Sequence, residues 1–175
     1  MKIVIAGAGE VGSHLAKMLS GEYHDITVVD DDPKRLESIA GMADVIVIEG
    51  DCTTFSVLKK ASVRKADLFI AVRPEETSNI ISAILAKQLG ARKSIARIDN
   101  NEYLEPNNKE MFIDMGIDYL FYPEQVAADE VINLLGHTST TEYVDFSGGK
   151  LSLVVFMRSK TSWYSRARPI STSRT

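Results

Sequence analysis

A single cysteine, Cys52, in 175 residues leaves no second thiol for an internal disulfide, and no Cys or His stands near it at ligand spacing for a structural zinc site. Three histidines, His14, His24 and His137, are too scattered to gather around a metal, and none accompanies a recognisable serine or cysteine nucleophile motif. No apolar run approaches the roughly 20 residues of a membrane span. The first residues read as a strand of a fold, where a secretory leader would need a basic start and a cleavage site, so a cytoplasmic location is expected. Basic charge is scarce where nucleic acid would need it. Arg158, Lys160, Arg166, Arg168 and Arg174 all fall in residues 158–175, which leaves residues 1–157 with 15 basic against 24 acidic groups. An acidic body offers no concentrated basic face to a phosphate backbone, so neither DNA nor RNA is an expected partner.

What the chain does have is a strand running straight into a glycine turn: Lys2-Ile3-Val4-Ile5-Ala6, then Gly7-Ala8-Gly9-Glu10-Val11-Gly12 at the mouth of a helix. In this Gly-x-Gly-x-x-Gly pattern the first glycine allows the tight turn, the second lets backbone approach a pyrophosphate, and the third lets helix and strand pack closely. The free N–H groups of the helix start and its dipole then favour an anion. A second strand, Ile26-Thr27-Val28-Val29-Asp30, ends in a carboxylate 18 residues after Gly12. Asp30 there can accept from both ribose hydroxyls and repels a 2'-phosphate, which favours NAD or another unphosphorylated adenosine. A helix cap is the competing role for Asp30. Asp32, directly before Pro33, suits the cap better and leaves Asp30 free for the ligand, with Asp31 beside it in the cofactor-binding set.

Apolar runs alternate with helical periodicity through most of the chain. Strands are expected near residues 2–6, 26–30, 44–48, 67–72, 94–98 and 118–121, and helices at 10–20, 33–41, 54–61, 76–89, 108–115 and 124–135. In the first helix Val11, Leu15, Met18 and Leu19 form the expected core stripe. Continuous runs such as Asp44–Ile48 and Leu68–Val72 fit strands buried on both faces. The expected fold is α/β: a doubly wound parallel Rossmann sheet in the order 3-2-1-4-5-6, with the start of a small C-terminal β-containing domain. Its crevice, where the winding reverses, is bordered by the Gly7 turn, Asp30, Asp51-Cys52-Thr53, Val72-Arg73 and Arg97-Ile98-Asp99.

Along that border Asp51 suits an adenine amino group, with Cys52 and Thr53 lining the ring, although Asp51 or Thr53 could equally cap the helix at 54–61. Arg73 and Arg97 are the only cations at the expected C-terminal strand ends. Each could fork onto a phosphate or carboxylate, or pair with an acid at the surface. Asn79 and Glu76, near the start of the fourth helix, either join the site or cap and solvate that helix. The helix at 124–135, with Val126, Val131, Ile132, Leu134 and Leu135, leaves the first domain, placing its end near 136. Glu142–Phe146 and Leu151–Met157 flank Gly148-Gly149 and read as a hairpin, which must pack on something else, either a second small domain opening over 137–157 or another subunit. Residues 158–175 lose apolar periodicity and carry eight Ser or Thr, which predicts a disordered or non-native tail, as a truncation or an altered reading frame would give.

Taken together, Gly7–Gly12, Val28-Val29-Asp30, Glu49-Gly50-Asp51-Cys52-Thr53, Ala66–Val72, Glu76-Thr77-Ser78-Asn79, Ile95-Ala96-Arg97-Ile98 and Tyr122-Pro123-Glu124 resemble the N-terminal regulator-of-potassium-conductance (RCK, or KTN) domain of the TrkA family of Trk potassium-uptake regulators. The resemblance covers about residues 1–157. It departs at Cys52, where a small residue such as Ala is usual, and at Arg73, where a short polar residue is common. It implies a cytoplasmic subunit, peripheral to the inner face of the cell membrane, that binds NAD or NADH, or alternatively ATP, ADP or AMP. It also implies a homodimer or higher ring that controls a TrkH-like membrane potassium translocator. No catalysis is implied: an NAD-dependent oxidoreductase, the alternative class, needs a second substrate site and a proton donor, and the sequence shows neither. A purely structural scaffold is the third class and would bind no nucleotide.

Overall fold

The computed structural model describes residues 1–136, 142–146 and 151–155. Tertiary contacts divide the chain into two units, Met1–Ala127 and Ala128–Thr175. In the first, six parallel strands, β1 (Lys2–Ala6), β2 (Asp25–Asp30), β3 (Ile46–Glu49), β4 (Leu68–Ala71), β5 (Ser94–Arg97) and β6 (Tyr119–Phe121), form one sheet in the order β3-β2-β1-β4-β5-β6. The connecting helices are α1 (Glu10–Ser20), α2 (Pro33–Ala40), α3 (Phe55–Lys60), α4 (Glu76–Leu89) and α5 (Pro106–Asp114), followed by α6 (Pro123–Gly136), which runs from the first unit into the second. This is the expected doubly wound fold, and the element bounds agree with the sequence reading to within about two residues. The exceptions are two short 3-10 helices, Val63–Lys65 and Asn101–Leu104, too brief to leave a periodic signal.

Alternation along the central strands divides the core between two faces. Ile3 and Ile5 of β1 join Ile26, Val28, Ile70, Ala16, Leu36 and Ile39 on the α1–α2 face. Val4 and Ala6 join Val29, Phe69, Ala71, Ala83, Ala86 and Ala96 on the other. Each Val or Ile so buried contributes roughly 1.5–3 kcal/mol relative to exposure. Ala6, Ala71 and Ala96 stand side by side in register across β1, β4 and β5, and the buried residues of α4 are equally small: Asn79, Ser82, Ala83 and Ala86. Small side chains on both surfaces let α4 lie close against the strand ends that border the crevice.

Two sequence expectations change. The core stripe of α1 is Gly12 and Ala16, both buried, flanked by half-buried Leu15 and Leu19, whereas Met18 is 55% exposed and Val11 faces solvent. Close packing against the sheet selects small residues, which a hydrophobic period does not reveal. The third strand begins at Ile46 and forms an edge of the sheet, so Ile46 is 65% exposed and only Ile48 is buried, where burial on both faces was expected.

Of the second unit, β7 (Glu142–Phe146) and β8 (Leu151–Val155) pair antiparallel, as the hairpin reading expects. Gly148-Gly149, Met157 and the tail at 158–175 lie outside the described residues.

At the end of the sheet remote from the crevice, Asp118 holds three elements together. Its carboxylate accepts from Lys87 Nζ of α4 at 2.7 and 2.9 Å and from the backbone N–H of buried Ser94 in β5 at 2.7 Å. Burial opposes the charge on Asp118, but Lys87 and the Ser94 N–H outweigh it and hold the carboxyl below the usual carboxylate range. Replacing Asp118 by Ala strands the Ser94 N–H and should cost about 1–3 kcal/mol in chemical denaturation. The part of this that depends on charge is complete above the ordinary carboxylate pKa and disappears as pH falls through the lower folded value, so the wild-type and Asp118→Asn stability curves should converge only in strong acid.

Candidate functional site

The glycine turn is built by two contacts that only glycine satisfies. Gly7 adopts φ +112°, in the left-handed region, and a Cβ there would come within 3.1 Å of the Arg73 backbone N and Cγ. A Cβ on Gly12 would sit 1.8 Å from the Gly7 carbonyl oxygen, so α1 can start here only without a side chain at that position. Val72, buried behind the turn, would meet that same Cβ at 3.4 Å and is a packing residue. Gly9 differs from both: at φ −68° its backbone suits any residue, and a Cβ would meet nothing within 4 Å. Nothing in the described protein requires glycine there. The N-cap of α1, which is Gly9, has no side-chain cap bond, so no capping side chain satisfies the first N–H groups of the helix.

Asp30 takes up a role that its sequence position did not disclose. It is 1% exposed; Oδ2 accepts from the Ala8 N–H and Oδ1 from the Asp32 N–H at 2.9 Å. Asp30 is thus already engaged by backbone, with acceptor capacity remaining on each oxygen. Its carboxylate first ties the glycine turn to the end of β2, and ribose hydroxyls would have to share lone pairs already engaged on one side. Asp32 is the α2 cap, accepting from the Lys34 N–H at 2.9 Å ahead of Pro33. The most exposed carboxylate of the three is Asp31, which pairs with Arg73 Nη2 at 2.8 Å. The hydrogen bond from Arg73 holds the Asp31 carboxyl below its usual value, and the same bond raises the guanidinium.

At the end of β3, Asp51 Oδ1 accepts from both the N–H and the hydroxyl of Thr53, at 2.8 and 2.7 Å, while its carbonyl accepts from the Thr54 hydroxyl. This turn precedes α3, whose N-cap is Thr54. Cys52 is fully buried within the core cluster; burial pushes its thiol up, partly offset by Arg73, which is no setting for a nucleophile.

Asn79 is fully buried, and its amide is committed to backbone. Oδ1 accepts from the Arg73 N–H at 2.8 Å, and Nδ2 donates to the Arg73 and Arg97 carbonyls at 2.9 and 3.1 Å. With both amide hydrogens engaged it joins the ends of β4 and β5 and positions the site without a donor left for a ligand. Glu76, its neighbour on α4, accepts from the N–H groups of Asp99 and Asn100 and secures the turn after β5. Arg97 pairs with Asp99 at 3.0 Å. Three guanidinium nitrogens, Arg73 Nε, Arg73 Nη1 and Arg97 Nε, are buried with no hydrogen-bond partner among the described residues.

Beside the turn lies an open recess of about 360 Å³ lined by Ala8, Gly9, Glu10, Ser13, Lys34, Arg35 and Ser38. The α2 contribution escaped the sequence reading, although Lys34 and Ser38 are one turn apart on the face opposite buried Leu36 and Ile39. A second recess, of about 420 Å³, lies among the opposite strand ends around Lys2, Asp25 and Asp44, away from the glycine turn. Among the described residues no cluster of three or more His, Cys, Asp or Glu could hold a metal, and no helix is long and apolar enough to cross a membrane.

A six-stranded parallel sheet in this order, with a glycine turn opening α1 at the switch point and an acid closing β2, defines a Rossmann-type α/β domain. The chain belongs to the TrkA-N domain family, which matches residues 3–123. It is 40% identical over 155 residues to the Trk system potassium uptake protein TrkA homolog of Archaeoglobus fulgidus, covering 88% of this chain and 35% of that protein. To the homolog of Methanothermobacter thermautotrophicus it is 30% identical over 154 residues, 88% of this chain and 69% of that one. The chain thus spans about a third of the Archaeoglobus relative's length. Solved structures share the fold. They include the TrkA-N domain of the Escherichia coli inner membrane protein YbaL (TM-score 0.66, 18% identity, 77% of this chain and 96% of that one). The GsuK channel bound to NAD gives a TM-score of 0.61 at 22% identity over 87% of this chain and 27% of that one. The Shewanella denitrificans Kef CTD in its AMP-bound form gives 0.58 at 18% over 79% and 84%.

The two glycines should separate in experiment. Gly12→Ala should destabilise the fold by more than about 3 kcal/mol, because backbone on both sides of the clash must move. Gly9→Ala should cost less than about 1 kcal/mol, the loss of a favourable cap residue, as read by thermal or denaturant unfolding.

Proposed function

We propose that this chain is the nucleotide-sensing part of a potassium-uptake regulator, and that the crevice at the glycine turn binds NAD or NADH, or alternatively ATP, ADP or AMP. The observation that carries the reading is the empty space over Gly9. A residue with no steric need to be glycine, at an uncapped helix start, is suited to a ligand that approaches the backbone more closely than a side chain would allow. In this reading the backbone of Gly7, Ala8, Gly9, Glu10, Val11 and Gly12 receives the diphosphate, and Asp30 and Asp31 border the ribose. Asp51 and Thr53 border the adenine with Cys52 buried behind them, and Arg73 and Arg97 face the phosphates. Val72 and Asn79 hold the frame from behind.

Potassium enters through the relatives, which are named as Trk uptake proteins. The partner is then a TrkH-like membrane potassium translocator, and the chain sits in the cytoplasm against the inner membrane face as a homodimer or higher ring. Residues 1–136 form the nucleotide-binding domain, and 137–157 open the following RCK-C (TrkA-C) domain. A bound nucleotide shifts such an assembly only as far as it prefers one subunit arrangement. Couplings of about 1–3 kcal/mol correspond to affinity changes of about 5- to 150-fold, passed on through α6.

Calorimetric titration with NAD, NADH, ATP, ADP and AMP should give one site per chain for at least one of them, abolished by Gly9→Ala while the fold persists. Titrations silent across all five would overturn the reading, and enzyme-like NADH turnover against a panel of carbonyl compounds would replace the sensor by an oxidoreductase.

A further inference from the structure

Arg73 leaves the end of β4 with both of its backbone polar groups fixed by Asn79. From there its side chain runs over Gly7, with Cγ close enough to lie 3.1 Å from the position of a Cβ there, and ends on Asp31, one residue past β2. Because β1 lies between β4 and β2, this ion pair reaches across the crevice over the glycine turn. The side chain is 15% exposed, against 53% for Asp31. Nη2 has its acceptor in Asp31, whereas Nε and Nη1 are buried and have none among the described residues. A guanidinium presents its donors in a fixed planar fork, and buried donors left without acceptors are costly. A group that offers two acceptors at once to such a fork, and matches its charge, is a tetrahedral or planar oxyanion.

We propose that Arg73 determines the specificity of the crevice: its guanidinium, held ready by Asp31, receives a phosphate of the incoming nucleotide, so the site takes phosphate-bearing adenine nucleotides and discriminates against the uncharged nucleoside. The assignment rests on the reading of this crevice as a nucleotide site. A phosphate can offer oxygens to Nε and Nη1 once the groups that cover them move aside, and the bond from Nη2 to Asp31 need not break. Adenosine brings no such acceptor and leaves these donors as unpaired as they are in the free protein, so the gain from pairing them goes to the phosphate-bearing ligand alone. Asp31 has two opposed effects, orienting the guanidinium while repelling the phosphate. Being half in water, it contributes little binding energy of its own.

The ratio of ADP to adenosine affinity, measured by calorimetry on the full chain, tests this. Wild type should prefer ADP. Arg73→Gln should lower that ratio about 10- to 100-fold, through weaker ADP binding with adenosine equal or tighter, as expected for a lost charge-assisted fork. Arg73→Lys, which keeps the charge without the fork, should fall between the two, and it serves in place of Arg73→Gln should that variant not fold. Asp31→Asn should raise the ratio. A wild type without preference for ADP, or Arg73 variants that change both affinities by the same factor, would overturn the assignment while leaving the nucleotide site in place. A wild type that binds neither compound would overturn the nucleotide reading itself.

Discussion

The bond from the Ala8 N–H to the buried Asp30 carboxylate fixes the glycine turn against the end of β2, and the geometry of the crevice follows from it. A carboxylate with 1% exposure is tolerable only because both oxygens accept backbone N–H groups, and those two groups come from the turn and from the entry to α2. One side chain therefore sets the positions of two helix starts. With Gly12 pressed against the Gly7 carbonyl, α1 has a single way to leave the turn, and its uncapped start lies where the sheet reverses its winding.

Charge in this crevice is balanced locally. Asp31 and Asp99 each lie at the exposed end of an ion pair whose arginine is more deeply set, 53% against 15% for Asp31 and Arg73, and 44% against 23% for Asp99 and Arg97. The acids can exchange with solvent more readily than the guanidinium groups can. A site arranged in this way retains its cations and can release their partners. That suits an anionic ligand even though the body of the chain is acidic overall.

Much of the architecture was legible in the residues because its signals are local and repeated. Apolar strand runs at regular intervals, Pro33 after Asp32, and the Gly7–Gly12 spacing each follow from backbone geometry a few residues wide. What escaped was whatever depends on a distant partner. Gly12 and Ala16 give no hydrophobic period, yet they form the buried stripe of α1, because the opposing strand comes close there. Ile46 reads as core until the strand order places it at an edge. Within the candidate site, the fingerprint glycines and Asp30 stand out by pattern. The Asn79 clamp, the Glu76 anchor and the Arg73–Asp31 pair join residues 6, 23 and 42 positions apart and belong to the folded state alone.

The buried Asn79 amide has a consequence for motion. It grips the peptide units of Arg73 and Arg97 from one point on α4, so neither cation can shift its backbone independently of the other. The adjoining strand ends and the helix behind both are thereby joined at one point, a carboxamide that never meets solvent.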